Sequence, residues 1–94
     1  MNEPGIITAG RACEWTKELV EYPAVNWVLH YILLSVSSAY HLIAKPSGDK
    51  HFVKVSADDT RGWLSGYYDW TAFVTNADGD KHVVDTGVIK VLSA

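Results

Sequence analysis

Leu64-Ser65-Gly66-Tyr67-Tyr68-Asp69-Trp70-Thr71-Ala72-Phe73-Val74-Thr75 is the stretch whose spacing decides the fold. Successive side chains of a strand point to opposite faces, so Tyr68, Trp70, Ala72 and Val74 share one side. Tyr67, Asp69, Thr71, Phe73 and Thr75 share the other. The first set is apolar throughout, which predicts a strand lying with that side on a core. Leu64 and Gly66 continue the same two-residue period backward.

Working outward, Asn76, Ala77, Asp78, Gly79 and Asp80 are turn residues, and residues 81–92 read as a return strand carrying Val84, Val88, Ile89 and Val91. Gly87 within it suggests a bulge or bend. Upstream, residues 57–64 have room for one helical turn, capped by the carboxylates of Asp58 and Asp59. Residues 40–45 and 51–56 flank Pro46, Ser47, Gly48 and Asp49 and predict a hairpin. Ser35, Ser37 and Ser38 mark a turn before it. Residues 27–34, Trp-Val-Leu-His-Tyr-Ile-Leu-Leu, are apolar on both faces, the pattern of a central strand covered on both sides. Pro23 makes residues 21–26 a connection. Ala12, Glu14 and Thr16 alternate with Cys13, Trp15 and Lys17 as a strand, and Ile6 and Ile7 begin a shorter one that Gly10 ends.

These segments predict an all-β chain: an immunoglobulin-like antiparallel β-sandwich of about seven strands, formed by residues 6–94 as one domain. Residues 1–5 are expected to be a flexible N-terminal arm. In immunoglobulin-like domains a tyrosine near the start of one strand anchors a corner through its hydroxyl, and a cysteine follows two residues later. Tyr68 holds the tyrosine position here and Trp70 the cysteine position. Trp27 is then expected to stand between the sheets. The core is predicted to include Trp15, Trp27, Leu64, Gly66, Tyr68 and Trp70. Cys13 is the only cysteine, so no internal disulfide holds this fold.

The chain has 94 residues, 8 of them Lys or Arg and 11 Asp or Glu, for a formal charge of −3 with no basic stripe. Nucleic acid is therefore not an expected partner. No signal peptide is recognisable, and the longest apolar run is broken by His30, so no membrane association is expected. Nor is there a nucleophile elbow, a phosphate-binding glycine loop or a His-Glu-x-x-His helix, and no enzymatic role is expected. His30, His41, His51 and His82 form no close pair in sequence, so neither a metal site nor any other cofactor is predicted. Residues 76–80 resemble half a calcium loop but lack its distant glutamate, and the same residue types suit a plain turn. Tyr22, Tyr31, Tyr40, Trp63, Tyr67 and Phe73 are too many aromatics for one core. Tyr67 and Phe73, opposite Tyr68 and Trp70, are the candidates for a protein interface, where such residues are enriched.

Ile7-Thr8-Ala9-Gly10, Trp15-Thr16, Tyr22-Pro23-Ala24, Trp27, Leu29, Thr60, Trp63, Gly66, Tyr68 and Trp70 together resemble a group of small tailed-bacteriophage proteins with immunoglobulin-like modules. The resemblance spans residues 7–91. It departs where that group has Asp-Thr after the glycine and this chain has Arg11-Ala12, so a corner held there by aspartate must be held otherwise. The resemblance implies a virion protein from the head and neck gene cluster, made in the bacterial host cytoplasm. It would decorate the capsid or join head to tail, present in many copies or as a homo-oligomer, with capsid or neck proteins as partners. A carbohydrate-binding or adhesion module using exposed aromatics is the alternative.

Overall fold

The computed structural model describes residues 3–93. Its elements are β1 (Ile6–Thr8), β2 (Cys13–Lys17), β3 (Val28–Leu34), β4 (Ala39–Ile43), β5 (Lys45–Ser47), β6 (Lys50–Val55), α1 (Ala57–Arg61), β7 (Gly66–Thr75) and β8 (Lys81–Leu92). The fold is all-β. One sheet has five strands in the order β1-β8-β7-β3-β4, and the other has three in the order β2-β6-β5. Every pair is antiparallel except β1 with β8, which is parallel.

The eight strands exceed the expected seven because the chain changes sheets at Ala44. The arm expected at residues 40–45 does not pair with β6 as one piece. Its first part runs beside β3 and its end beside β6. Ala44 is buried at the crossing, and its N–H donates to the Leu29 carbonyl at 2.9 Å. Pro46 fits because β5 is an edge strand, where its missing N–H breaks no ladder. Gly48, at φ +61°, takes the first central place of the two-residue loop between Ser47 and Lys50, where a side chain would be strained.

A second irregularity sets which side chains face inward. Ala72 pairs with Asp85 and Phe73 with Val83, leaving Val84 as an extra residue in β8. A bulge reverses the alternation beyond it. Lys81 and Val83 therefore face outward with Thr75 and Phe73, whereas Asp85, Gly87, Ile89 and Val91 face inward. Gly87 is not the bulge. It lies under the indole of Trp70, so near that a Cβ would stand 2.5 Å from Trp70 Cζ2.

Between the sheets stand Trp15 of β2, Tyr31 of β3 and Trp70 of β7. Trp15 meets Tyr31 edge-on at 5.3 Å between centroids and donates its indole N–H to the tyrosine oxygen at 3.3 Å. Tyr31 in turn lies 5.6 Å from Trp70. This position was expected for Trp27, which instead precedes β3, half-buried, and packs on Tyr22 at 5.0 Å and His82 at 5.5 Å. Trp27 has the inward parity but lies past the last β3 pair, Val28 with Thr75, so it packs beyond the end of the five-stranded sheet's ladder. Leu64 is also displaced from its expected place in the core: its side chain is exposed, in the connection before β7. What it supplies is backbone. Its carbonyl accepts from the Tyr68 hydroxyl at 2.7 Å, and its N–H donates to the Tyr40 oxygen at 3.1 Å. Gly66 opens β7 at φ +138°.

The helix α1 is capped by Ser56 and not by the aspartates alone. The Ser56 hydroxyl accepts from Asp59 N–H at 3.1 Å while the Asp59 carboxylate reaches back to Ser56 N–H, a reciprocal box. Thr60, fully buried, then ties α1 to the β1–β2 turn. It donates to the Arg11 carbonyl at 2.9 Å and accepts from Gly10 N–H at 3.1 Å. This is the corner at Arg11-Ala12, held here by a threonine.

Of the expected N-terminal arm, Met1 and Asn2 lie outside the described residues. Glu3 does not hang free. Its carboxylate receives Lys17 Nζ at 2.7 Å and the Tyr31 hydroxyl at 2.6 Å, and the Gly5 carbonyl receives Lys90 N–H at 3.0 Å.

Candidate functional site

The outer sides of the two sheets differ in chemistry. On the three-stranded sheet, the residues between the inward-facing Cys13, Trp15 and Lys17 are Glu14 and Thr16, paired with Lys54 and Phe52. That surface is mostly polar. On the five-stranded sheet the register lines up mainly apolar rows across the strands, each with one polar member: Val88, Asp69, Leu34 and Ala39 in one, and Val83, Phe73, His30 and Ile43 in the next but one. Val28, Leu34, Ile43, Tyr67, Val83 and Val88 are between 43% and 68% exposed.

This face exists because β3 is apolar on both sides. Leu29, Tyr31 and Leu33 are buried in the core as the pattern requires, but nothing covers the opposite side of the strand. The expectation of a strand covered on both faces is thus corrected among the described residues. Exposed apolar residues gathered on one face of a sheet mark interaction sites, and here they stand on either side of the mixed row Thr86, Thr71, Ile32 and His41.

The two interface candidates separate. Tyr67 is 68% exposed, with Lys90 Nζ 5.3 Å above its ring. Phe73 is buried at 7% although it points outward, because His30 stacks flat on it at 4.7 Å and Lys81 Nζ lies 4.3 Å over the ring. It supports the face and does not project from it. Of the other surplus aromatics, Tyr31 is in the core and Trp63 is buried, stacked on Tyr40 at 4.5 Å.

Next to Phe73, His30 Nδ1 and His41 Nε2 are 3.0 Å apart, and His30 Nε2 is 3.1 Å from Thr75 Oγ. The pair is diagonal across β3 and β4, since His30 faces Ile43 and His41 faces Ile32. Burial, then the charges of His41 and Lys81, hold His30 below the usual histidine range, which keeps it neutral at physiological pH. His51 is elsewhere, buried with Nε2 2.7 Å from the Tyr22 carbonyl.

A separate polar cluster lies at one end between the sheets. Lys17 Nζ is 2.7 Å from Glu3 Oε2 and 2.7 Å from Asp85 Oδ2. Burial works against the charge of Lys17, but hydrogen bonds to Asp85 and Glu3 outweigh it and hold the ammonium above its ordinary range. Glu3, likewise buried, is held below the carboxylate range by hydrogen bonds from Lys17 and Tyr31, and Asp85 by its bond to Lys17. The register counted from Lys81 opposite Thr75 would put Asp85 opposite Thr71 on the outer side; the extra residue at Val84 puts it opposite Ala72 instead, on the side of this cluster. Each charge is paired, and the arrangement braces the chain start against β2 and β8.

Cys13 is a poor nucleophile, because burial and then the charge of Glu14 push its thiol up. In the turn of residues 76–80, the side-chain oxygen of Asn76 accepts from Asp78 N–H at 3.1 Å and Asp80 N–H at 3.0 Å, closing the loop on itself. An open cleft of about 460 Å³ separates the edges of β4 and β6, with Tyr40, Leu42, Val53, Val55 and Trp63 among its walls.

Sequence reasoning picked out Tyr67 but missed the exposed aliphatic rows and the histidine pair. The available signal was the doubly apolar run of β3 and the parity break between Val84 and Ile89. No protein-family model matches this chain, and no curated protein matches it in sequence.

Proposed function

We propose that this chain is a non-catalytic structural domain that works by docking the outer face of its five-stranded sheet onto another protein. The observation that carries the reading is the uncovered apolar side of β3 with its neighbours Val83, Val88, Tyr67 and Ile43, facing solvent beside a polar three-stranded sheet. An apolar face of this extent costs solubility unless something covers it.

Within the all-β architecture, the finer reading is an immunoglobulin-like sandwich. Supporting it, β2, β6 and β5 follow the order of strands B, E and D, and β8, β7, β3 and β4 that of G, F, C and C′. The Tyr68 hydroxyl bond to the carbonyl of Leu64, four residues upstream, has the form of the tyrosine corner. Trp15, Tyr31 and Trp70 occupy the room that a disulfide and tryptophan fill in secreted members.

The partner proposed is a capsid or neck protein of a tailed-phage virion, or further copies of this chain. That choice, and with it a place in the virion, is supported by the resemblance of its core and turn residues. The glycan-binding alternative is less supported, because stacking needs several projecting rings and Phe73 is covered by His30. The test is binding of the purified chain to empty capsids and to neck complexes by sedimentation, with Leu34→Asp and Val88→Asp as variants. Wild type should co-sediment or self-associate, and both variants should lose this while unfolding at unchanged denaturant concentration. A wild-type chain that stays monomeric at high concentration and binds neither particle would overturn the proposal.

A further inference from the structure

We propose that His30 and His41 form a two-imidazole site for a divalent ion of the late first-row transition series, such as copper, nickel or zinc. The nitrogens Nδ1 of His30 and Nε2 of His41 converge to 3.0 Å. Two imidazole nitrogens each about 2.1 Å from an ion and at roughly a right angle to one another would be about 3.0 Å apart. The observed separation, which in the free protein is that of an N–H···N hydrogen bond, also matches two adjacent ligands on one ion.

Three further features suit the pair to this role. Thr75 Oγ lies 3.1 Å from His30 Nε2 and can accept its N–H in the tautomer that leaves a lone pair on Nδ1. Ligating histidines are oriented by such an outer partner as a rule. The flat stack on Phe73 at 4.7 Å and 2° holds the His30 ring in place before any ion arrives, so little order is lost on binding. His41 donates from Nε2 to His30 Nδ1 in the free protein; being exposed, it can turn off that line and move its proton to Nδ1, which leaves a lone pair on Nε2 for an ion from solvent. Opposing these, Lys81 Nζ lies 4.3 Å over the Phe73 ring and repels a dication. Imidazole ligands select the late transition ions, and the hard ions calcium and magnesium are excluded by the lack of oxygen donors.

Among the described residues no group of three or more metal-binding side chains occurs, so the chain supplies two ligands and the remaining positions are open. They face outward, from the same sheet side as Val83 and Ile43. Water would fill them in the free protein. The inference does not depend on what docks there.

The experiment is a titration of the full chain with Zn2+ at pH 7.5, followed by the imidazole 15N shifts of all four histidines. Saturable changes at one equivalent, confined to His30 Nδ1 and His41 Nε2, are expected. His41→Ala should weaken binding tenfold or more, and Thr75→Val by about tenfold through loss of the outer hydrogen-bond partner of His30. His82→Ala should leave it unchanged. Because His41 is exposed, its variant should unfold like wild type, separating loss of the site from loss of the fold. Shifts that spread over all four histidines without saturation, or a His41→Ala chain that binds Zn2+ within tenfold of wild type, would overturn the assignment.

Discussion

The indole of Trp70 rests on Gly87, and even a methyl group there would meet Cζ2 at 2.5 Å. Gly87→Ala must therefore push the ring into the Trp15–Tyr31 stack, at a cost of about 1–3 kcal/mol, the usual range for overpacking. Trp70→Ala removes the ring altogether and should cost about 3–5 kcal/mol. Tyr68→Phe loses one buried hydrogen bond to the Leu64 carbonyl and should cost about 1 kcal/mol. Leu64→Ala, by contrast, should change stability by less than about 0.5 kcal/mol, because its side chain is exposed and its backbone contacts remain. Denaturant unfolding of the four variants checks the order. A Leu64→Ala loss equal to that of Trp70→Ala would mean that Leu64 is a core residue after all. His30 adds a pH effect: its neutral form is favoured by folding, so its contribution is complete above its ordinary value of 6.5 and is lost as pH falls through the lower folded value. His30→Gln should flatten the stability profile in that window.

At the scale of elements, the bulge at Val84 and the cluster of Glu3, Lys17 and Asp85 form one device. Deleting Val84 would remove the extra residue and leave Val83 opposite Phe73 and Asp85 opposite Ala72 in a regular ladder, so Asp85 should keep its inward side and its bond to Lys17. Lys17→Met leaves Glu3 buried without its cation and should cost about 3 kcal/mol, the lower end for breaking a buried pair. The folded values of Glu3 and Asp85 lie below their ordinary 4.5 and 3.8, so their contribution is present above those values and disappears as pH falls through the folded ones. Lys17 is raised, so its contribution is present below 10.5 and disappears as pH rises through its folded value. The amide of Lys90, which donates to the Gly5 carbonyl, reports the brace directly. Its hydrogen exchange should accelerate in Glu3→Gln and Lys17→Met, while the amide of Ala72 should stay protected in the former. Equal acceleration at both amides in Glu3→Gln would show that Glu3 supports the whole fold and not only the chain start. For α1, Ser56→Ala removes half of the reciprocal cap and should cost about 1 kcal/mol.

Taken whole, the molecule is an all-β fold of two sheets whose inner sides are covered and whose five-stranded sheet leaves its outer side open, and its proposed work belongs to that open side. The alternation of Tyr68, Trp70, Ala72 and Val74 was legible in the sequence because strand parity is a local property: two-residue spacing needs no knowledge of the neighbours. The turns at Ser35 to Ser38 and Asn76 to Asp80 were legible for the same reason, since their side chains bond to their own backbone. What joins distant strands was not. The change of sheets at Ala44, the extra residue at Val84, the Lys17 cluster and the approach of His30 to His41 each depend on register between strands, which long-range packing sets. The doubly apolar run of β3 shows the division most plainly. Its composition permits a cover on both faces or a cover on one and a surface for docking on the other, with equal hydrophobic periodicity. Only the placement of the second sheet, on the side of Leu29, Tyr31 and Leu33, decided which face was left for a partner.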